Sequence, residues 1–219
     1  MAKRPKMFVA FVLDETGSMA SVLDETINGY NQYIDDLVID DSACIRFTMA
    51  KFDSTKYELV HDAVKIADVP HLTRETYTPG AWTPLYDAIA QSIAAMQKAT
   101  KDIDEPKVCI TILTDGLENA SREHSFASVS KLIGERQDAG WTFMFLGARL
   151  EAVQNAQAMG IPAGSTSYYN VAETGMAFAA AAMGTRSWTT TGGKYRASVL
   201  SDVGVDDSIG FDDEEEEDD

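Results

Sequence analysis

Met7-Phe8-Val9-Ala10-Phe11-Val12-Leu13-Asp14-Glu15-Thr16-Gly17-Ser18 is the stretch on which the reading of this chain turns. Seven apolar residues in a row lack the alternation of a half-buried strand and suit one buried on both faces, as in a parallel sheet covered by helices. The run stops at Asp14, and hydroxyls follow at alternate positions, Thr16 and Ser18. Gly17 gives the chain freedom to bend so that the three side chains converge. The layout returns in part twice. Thr78-Pro79-Gly80-Ala81-Trp82-Thr83 leads into a helical pattern, and a second continuous apolar run, Val108-Cys109-Ile110-Thr111-Ile112-Leu113-Thr114, ends at Asp115.

Working outward from the first strand, Val22 or Leu23, Ile27, Tyr30, Ile34 and Leu37 recur at three or four residues and predict a helix over 22–38. Gly29 inside it weakens the helix by about 1 kcal/mol relative to alanine and is expected to mark close packing against the sheet. Residues 44–52 and 57–60 read as two strands joined at Asp53-Ser54, an antiparallel hairpin, and 63–78 as irregular chain. A helix follows Pro84, with Leu85, Ile89, Ser92 or Ile93 and Met96 on one side and Thr83-Pro84 as cap and first-turn proline. The strand 108–114 comes next, then a helix marked by Phe126, Val129 and Ile133, a strand at 141–146, a helix at 150–159, a short strand near 167–171 and an alanine-rich helix at about 172–182. Strand and helix alternate throughout. The expected fold is α/β and doubly wound, with a mostly parallel six-stranded sheet, one antiparallel edge strand and helices on both faces. Residues 1–187 form the expected domain, with Trp188 to Gly193 turn-like and 188–201 a linker or short tethering segment.

Composition sets further bounds. At 219 residues and 45% hydrophobic, the chain suits one good-sized globular domain. Of the formal charge of −17, residues 202–219 carry −11 with no Lys or Arg, leaving −6 on the rest. So dense a run of like charge predicts a disordered acidic tail, serving solubility or a basic partner. Direct nucleic-acid binding is not expected from such a balance, and no basic stripe exists to support it. Met1-Ala2-Lys3-Arg4-Pro5-Lys6 precedes an apolar run that Asp14 and Glu15 close after seven residues, with no small-residue cleavage site. The longest later apolar stretch, 176–183, is far short of a membrane span. Cys44 and Cys109 both sit in strand-like runs and are expected to be buried, reduced thiols. A cytoplasmic protein is the expectation.

Asp14, Thr16 and Ser18 make an all-oxygen half-shell, and in a parallel open sheet Asp115 and Thr83 can reach the same carboxyl-edge crevice. Two carboxylates with a few hydroxyls and waters suit a hard divalent cation, magnesium first, with manganese or calcium as alternatives. Asp87, one turn into its helix, is expected as a supporting acceptor rather than a ligand. His61, His71 and His124 are scattered and lack zinc-ligand spacing. A magnesium-dependent phosphatase-like hydrolase is the competing reading, disfavoured because its second aspartate would stand where Thr16 is. A third reading puts function mainly in the acidic tail.

Taken together, Asp14-Glu15-Thr16-Gly17-Ser18-Met19, Gly80-Ala81-Trp82-Thr83-Pro84-Leu85-Tyr86-Asp87-Ala88-Ile89 and Leu113-Thr114-Asp115-Gly116 resemble the von Willebrand factor type A domain with its metal-ion-dependent adhesion site. The resemblance covers about 6–183 and is nearest to stand-alone bacterial and phage members. It implies Asp14, Thr16, Ser18, Thr83 and Asp115 as the metal ligands, Thr16 replacing the family's usual serine. It also implies a binding module rather than an enzyme, whose partner protein presents an Asp or Glu to the metal. The family's more usual Gly-Gly-Thr is Ala81-Trp82-Thr83 here, which sets an indole beside the metal face.

Overall fold

The structure, a computed structural model, describes residues 4–40, 42–169 and 173–191. The expected acidic tail at 202–219 and the tether at 195–200 lie outside them. Six strands, β1 (Lys6–Asp14), β2 (Cys44–Asp53), β3 (Lys56–Lys65), β4 (Lys107–Thr114), β5 (Thr142–Gly147) and β6 (Thr166–Tyr168), form one sheet in the order β3-β2-β1-β4-β5-β6. All neighbours are parallel except β2 and β3. The α/β architecture predicted from the apolar runs is the one observed.

Period-two alternation of a fully buried strand divides the core. Met7, Val9, Phe11 and Leu13 face α1 (Leu23–Ile39) and α5 (Thr174–Thr190), while Phe8, Ala10 and Val12 face α2 (Leu85–Thr100), α3 (Phe126–Asp138) and α4 (Leu150–Ala158). Phe11 stacks on Phe178 of α5 with centroids 5.7 Å apart, and Tyr30 and Tyr33 of α1 close on its edge. Gly29 packs closely as expected, but its neighbour is a helix residue rather than the sheet: a Cβ there would lie 2.4 Å from Phe178 Cδ2.

The structure corrects four local expectations. β3 extends to Lys65, well past Val60, because register shifts near Phe47 and Met49, with Ala63 at φ 50, break the alternation that would have revealed it. Thr83 does not cap α2. That helix starts instead from Pro84, and Glu118 Oε2 and Ser121 Oγ accept the N–H groups of Tyr86 and Asp87 at 2.9 and 3.1 Å. Cys44 is exposed at the first position of β2; both cysteines are free, and only Cys109 is buried. Finally, Trp188 to Thr190 is the last turn of α5 rather than turn-like chain. Threonine hydroxyls there bond carbonyls three or four residues back, and Trp188 is fully buried, so core packing outweighs weak local helix propensity.

Candidate functional site

Strand order reverses beside β1. The chain runs from β1 outward through β2 and β3, then crosses back through α2 to β4 on the other side. The carboxyl ends of β1 and β4 therefore flank a crevice, the place where open α/β sheets bind ligands. Parallel pairing of Leu13 with Leu113 sets Asp14 and Thr114 side by side there.

All five predicted ligands meet at this edge. Asp14 Oδ1 accepts the Thr16 N–H at 2.7 Å, and Oδ2 accepts the Thr114 hydroxyl at 2.5 Å. The Ser18 hydroxyl donates to Asp115 Oδ1 at 2.6 Å. Thr16 Oγ1 lies 3.4 Å from Ser18 Oγ and 3.4 Å from Thr83 Oγ1, which joins the three segments. Asp14, Thr16, Thr83 and Asp115 are buried, and Ser18 is exposed at the mouth. Gly116 is required by close approach, since a Cβ would fall 2.9 Å from Thr83 Oγ1 and 3.6 Å from Asp14 Oδ2.

Burial of two carboxylates costs solvation and pushes both toward the protonated form. Desolvation raises the Asp14 pKa to about 6 against the opposing pull of the Thr114 and Thr16 hydrogen bonds. Asp115 is also raised by burial, with Ser18 and the Arg149 charge partly offsetting it. Among the described residues no group of three or more His, Cys, Asp and Glu side chains is placed to hold a metal. This donor set is different in kind: two carboxylates and three hydroxyls, all hard oxygen, which fits magnesium or manganese bound with additional water.

Several supporting residues escaped sequence reasoning. Glu15 is fully buried; Oε1 accepts from Lys51 Nζ at 3.1 Å and from the Thr78 N–H at 2.7 Å, and Lys56 Nζ pairs with Oε2 at 3.0 Å. Its backbone bonds Phe52 O and the Gly80 N–H, so one residue ties β1, the β2–β3 hairpin and the loop before α2 together. Asn119 clamps Thr83 from both sides: Oδ1 accepts the Thr83 N–H at 2.8 Å, and the Asn119 N–H donates to Thr83 O at 3.0 Å. The Tyr77 hydroxyl donates to Asp14 O at 2.6 Å, and Arg149 Nε donates to Asp115 O at 3.0 Å. None of these residues carries a local sequence signal, because each contact joins positions tens of residues apart.

Asp87 is a supporting acceptor, as expected, although what it supports is the loop after β4: its carboxylate receives the N–H groups of Arg122, Glu123 and His124. His124 is half-buried just before α3 and is not among the residues lining the crevice. Trp82 is 65% exposed, on the crevice wall rather than packed over the loop.

No protein-family model matches this sequence, and no curated protein sequence matches it. Solved structures do match the fold. The vWF domain of the type V pili tip protein Mfa5 from Porphyromonas gingivalis superposes with a TM-score of 0.59 at 10% identity, over 83% of this chain and 95% of that one. Manganese-loaded TRAP protein from Plasmodium vivax gives 0.52 at 14% identity, over 78% and 71%. A von Willebrand factor type A protein from Catenulispora acidiphila gives 0.54 at 12% identity, over 85% and 42%. The fold of this chain is therefore that of a von Willebrand factor type A domain. Among the described residues, no helix is long and apolar enough to cross a membrane.

Proposed function

We propose that the chain is a protein-interaction module whose binding face is a divalent-cation site of the metal-ion-dependent adhesion type, in a cytoplasmic protein and without catalytic turnover. The observation that carries this reading is the convergence of Asp14, Thr16, Ser18, Thr83 and Asp115 at one sheet edge, with Ser18 facing outward. Asp14 and Asp115 supply only two formal charges, so a bound Mg2+ or Mn2+ would retain an open coordination position and enough charge to accept an Asp or Glu from a partner. Thr16, Ser18 and Thr83 position rather than neutralise, and Asn119 with Glu15 keeps the threonine loop in register. The manganese-loaded TRAP structure supports a divalent ion on this fold, and the pilus-tip domain supports a role in contact between proteins.

Calorimetric titration of Mg2+ and of Mn2+ tests the site. One equivalent is expected to bind, and binding should disappear in Asp14→Ala. A folded wild-type protein that takes up neither ion would refute the reading. Capture of a host protein in Mg2+ and its release by EDTA would then identify the partner.

A further inference from the structure

Trp82 and Arg149 stand on the walls of the 340 Å3 cleft above the hydroxyl cluster, and neither is accounted for by cation binding. Arg149 is held by one nitrogen: Nε donates to Asp115 O at 3.0 Å, its charge acts on the Asp115 carboxyl, and its terminal amino groups have no hydrogen-bond partner among the described residues. It is also the one formally charged residue among those lining the cleft, in a chain of net charge −17. Asp14 and Asp115 lie buried below the surface a ligand would touch. Arg149 thus sets one cationic group at the surface of the cleft, above the two buried carboxylates, and a guanidinium edge is shaped to take a carboxylate through two parallel N–H donors.

Trp82 supplies the second feature. Trp141 and Trp188 are 5% and 0% exposed, whereas Trp82 is 65% exposed on an ordered loop. Its backbone N–H donates to Ser54 Oγ at 3.2 Å, Ala81 O accepts the Gly17 N–H at 3.2 Å, and Thr83 is held by Asn119. Ala81 adopts a φ of 60, a left-handed conformation that non-glycine residues adopt only when surroundings impose it. An indole displayed from a held backbone, in the same cleft as Leu117, offers a flat apolar platform, and Trp and Arg are both enriched among the residues that dominate binding energy.

We propose that the cleft receives a short acidic peptide segment of a partner protein. Arg149 binds one carboxylate directly, and Trp82 covers an adjoining apolar side chain. A second carboxylate of the same segment is left for the cation. The proposal rests on the reading of this cleft as the partner-binding face and adds to it an anchor independent of metal. The sequence it selects is an apolar residue followed by two acidic ones.

The probe is a synthetic peptide with Phe-Asp-Asp between glycines, with Phe-Asn-Asn as control, measured by calorimetry and by quenching of the exposed tryptophan in Mg2+ and in EDTA. Wild type is expected to bind Phe-Asp-Asp in Mg2+ and, about tenfold more weakly, in EDTA. Arg149→Gln should lose about tenfold in both conditions, while Arg149→Lys recovers part of that loss and shows that the charge rather than the fold was removed. Trp82→Ala should weaken binding about fivefold and abolish the quench. Asp14→Asn should abolish only the gain due to Mg2+. Binding lost in Asp14→Asn yet unchanged in Arg149→Gln and Trp82→Ala would overturn this inference and leave the metal site standing. Binding that ignores Mg2+ but needs Arg149 would do the reverse. Binding of Phe-Asn-Asn equal to Phe-Asp-Asp, or no binding of either, would overturn the acidic-segment proposal.

Discussion

Asp14 is fully buried, and among the described residues no cationic side chain pairs with its carboxylate; its behaviour with pH follows from that burial. Its folded pKa of about 6 lies above the unfolded value near 4, so between those values the folded state holds a proton that the unfolded chain has released. The stabilisation from this group is therefore complete below about pH 4 and is lost as pH rises through about 6, by about 3 kcal/mol in total. In EDTA at pH 7.5, Asp14→Asn is expected to be more stable than wild type by about 1–3 kcal/mol in urea unfolding, while the stabilisation by Mg2+ disappears. In wild type, Mg2+ affinity should fall as pH drops below about 6, because protons compete for the same oxygen; calorimetry at pH 5 and 7.5 checks it. Gly116 tests geometry without charge. Gly116→Ala pushes a methyl against the Thr83 hydroxyl, and a cost of about 1–3 kcal/mol is expected to appear as weakened Mg2+ binding in a protein that still folds.

Among the elements, two helices and one hairpin carry separable consequences. α1 meets α5 through Gly29, and Phe178 cannot retreat because it is stacked on Phe11 of β1. Gly29→Ala is therefore expected to destabilise by about 1–3 kcal/mol despite alanine's better helix propensity. Gly184, also on α5, provides the contrast. An added Cβ would meet Met144 Sδ at 2.9 Å, but an unbranched thioether can turn aside, so Gly184→Ala should lie within about 1 kcal/mol of wild type. The β2–β3 hairpin is tied to the site through Lys51, which pairs with buried Glu15 and donates to Thr76 O at 2.6 Å. Lys51→Met leaves that carboxylate with Lys56 as its remaining cation, so the expected cost is below the about 3–5 kcal/mol of a buried charge left wholly uncompensated. Proteolysis near 76–81 should accelerate in this variant, since the Glu15 bonds to Thr78 and Gly80 hold the loop.

For the whole molecule, a site assembled from β1, the loop before α2 and the end of β4 exists only when the sheet is formed, so the proposed cation would bind the folded state alone. At about 100 times its dissociation constant, it should stabilise the domain by about 2.7 kcal/mol. For a chain of this size that is a rise in Tm of about 5–10 °C, read by calorimetric scanning with Mg2+ and with EDTA. Added monovalent salt should change this shift little, because Asp14 and Asp115 are buried from the ions that screen surface charge.

The sequence alone determined the parts of this protein governed by local rules. Continuous apolar runs announced buried parallel strands, three-and-four spacing announced the helices, and oxygen side chains at the ends of two strands and the start of a helix announced Asp14, Thr16, Ser18, Thr83 and Asp115. Each of those signals is written within fewer than twenty residues. Tertiary structure decided the rest: that Glu15 reaches the hairpin lysines, that Asn119 grips Thr83, that Arg149 crosses to Asp115, that a bulged β3 continues to Lys65, and that Trp188 extends α5 into the core. These depend on which segments meet across tens of residues and on the burial that results. A carboxylate or an indole has no fixed role until the folded sheet decides whether it faces water, a cation or another chain.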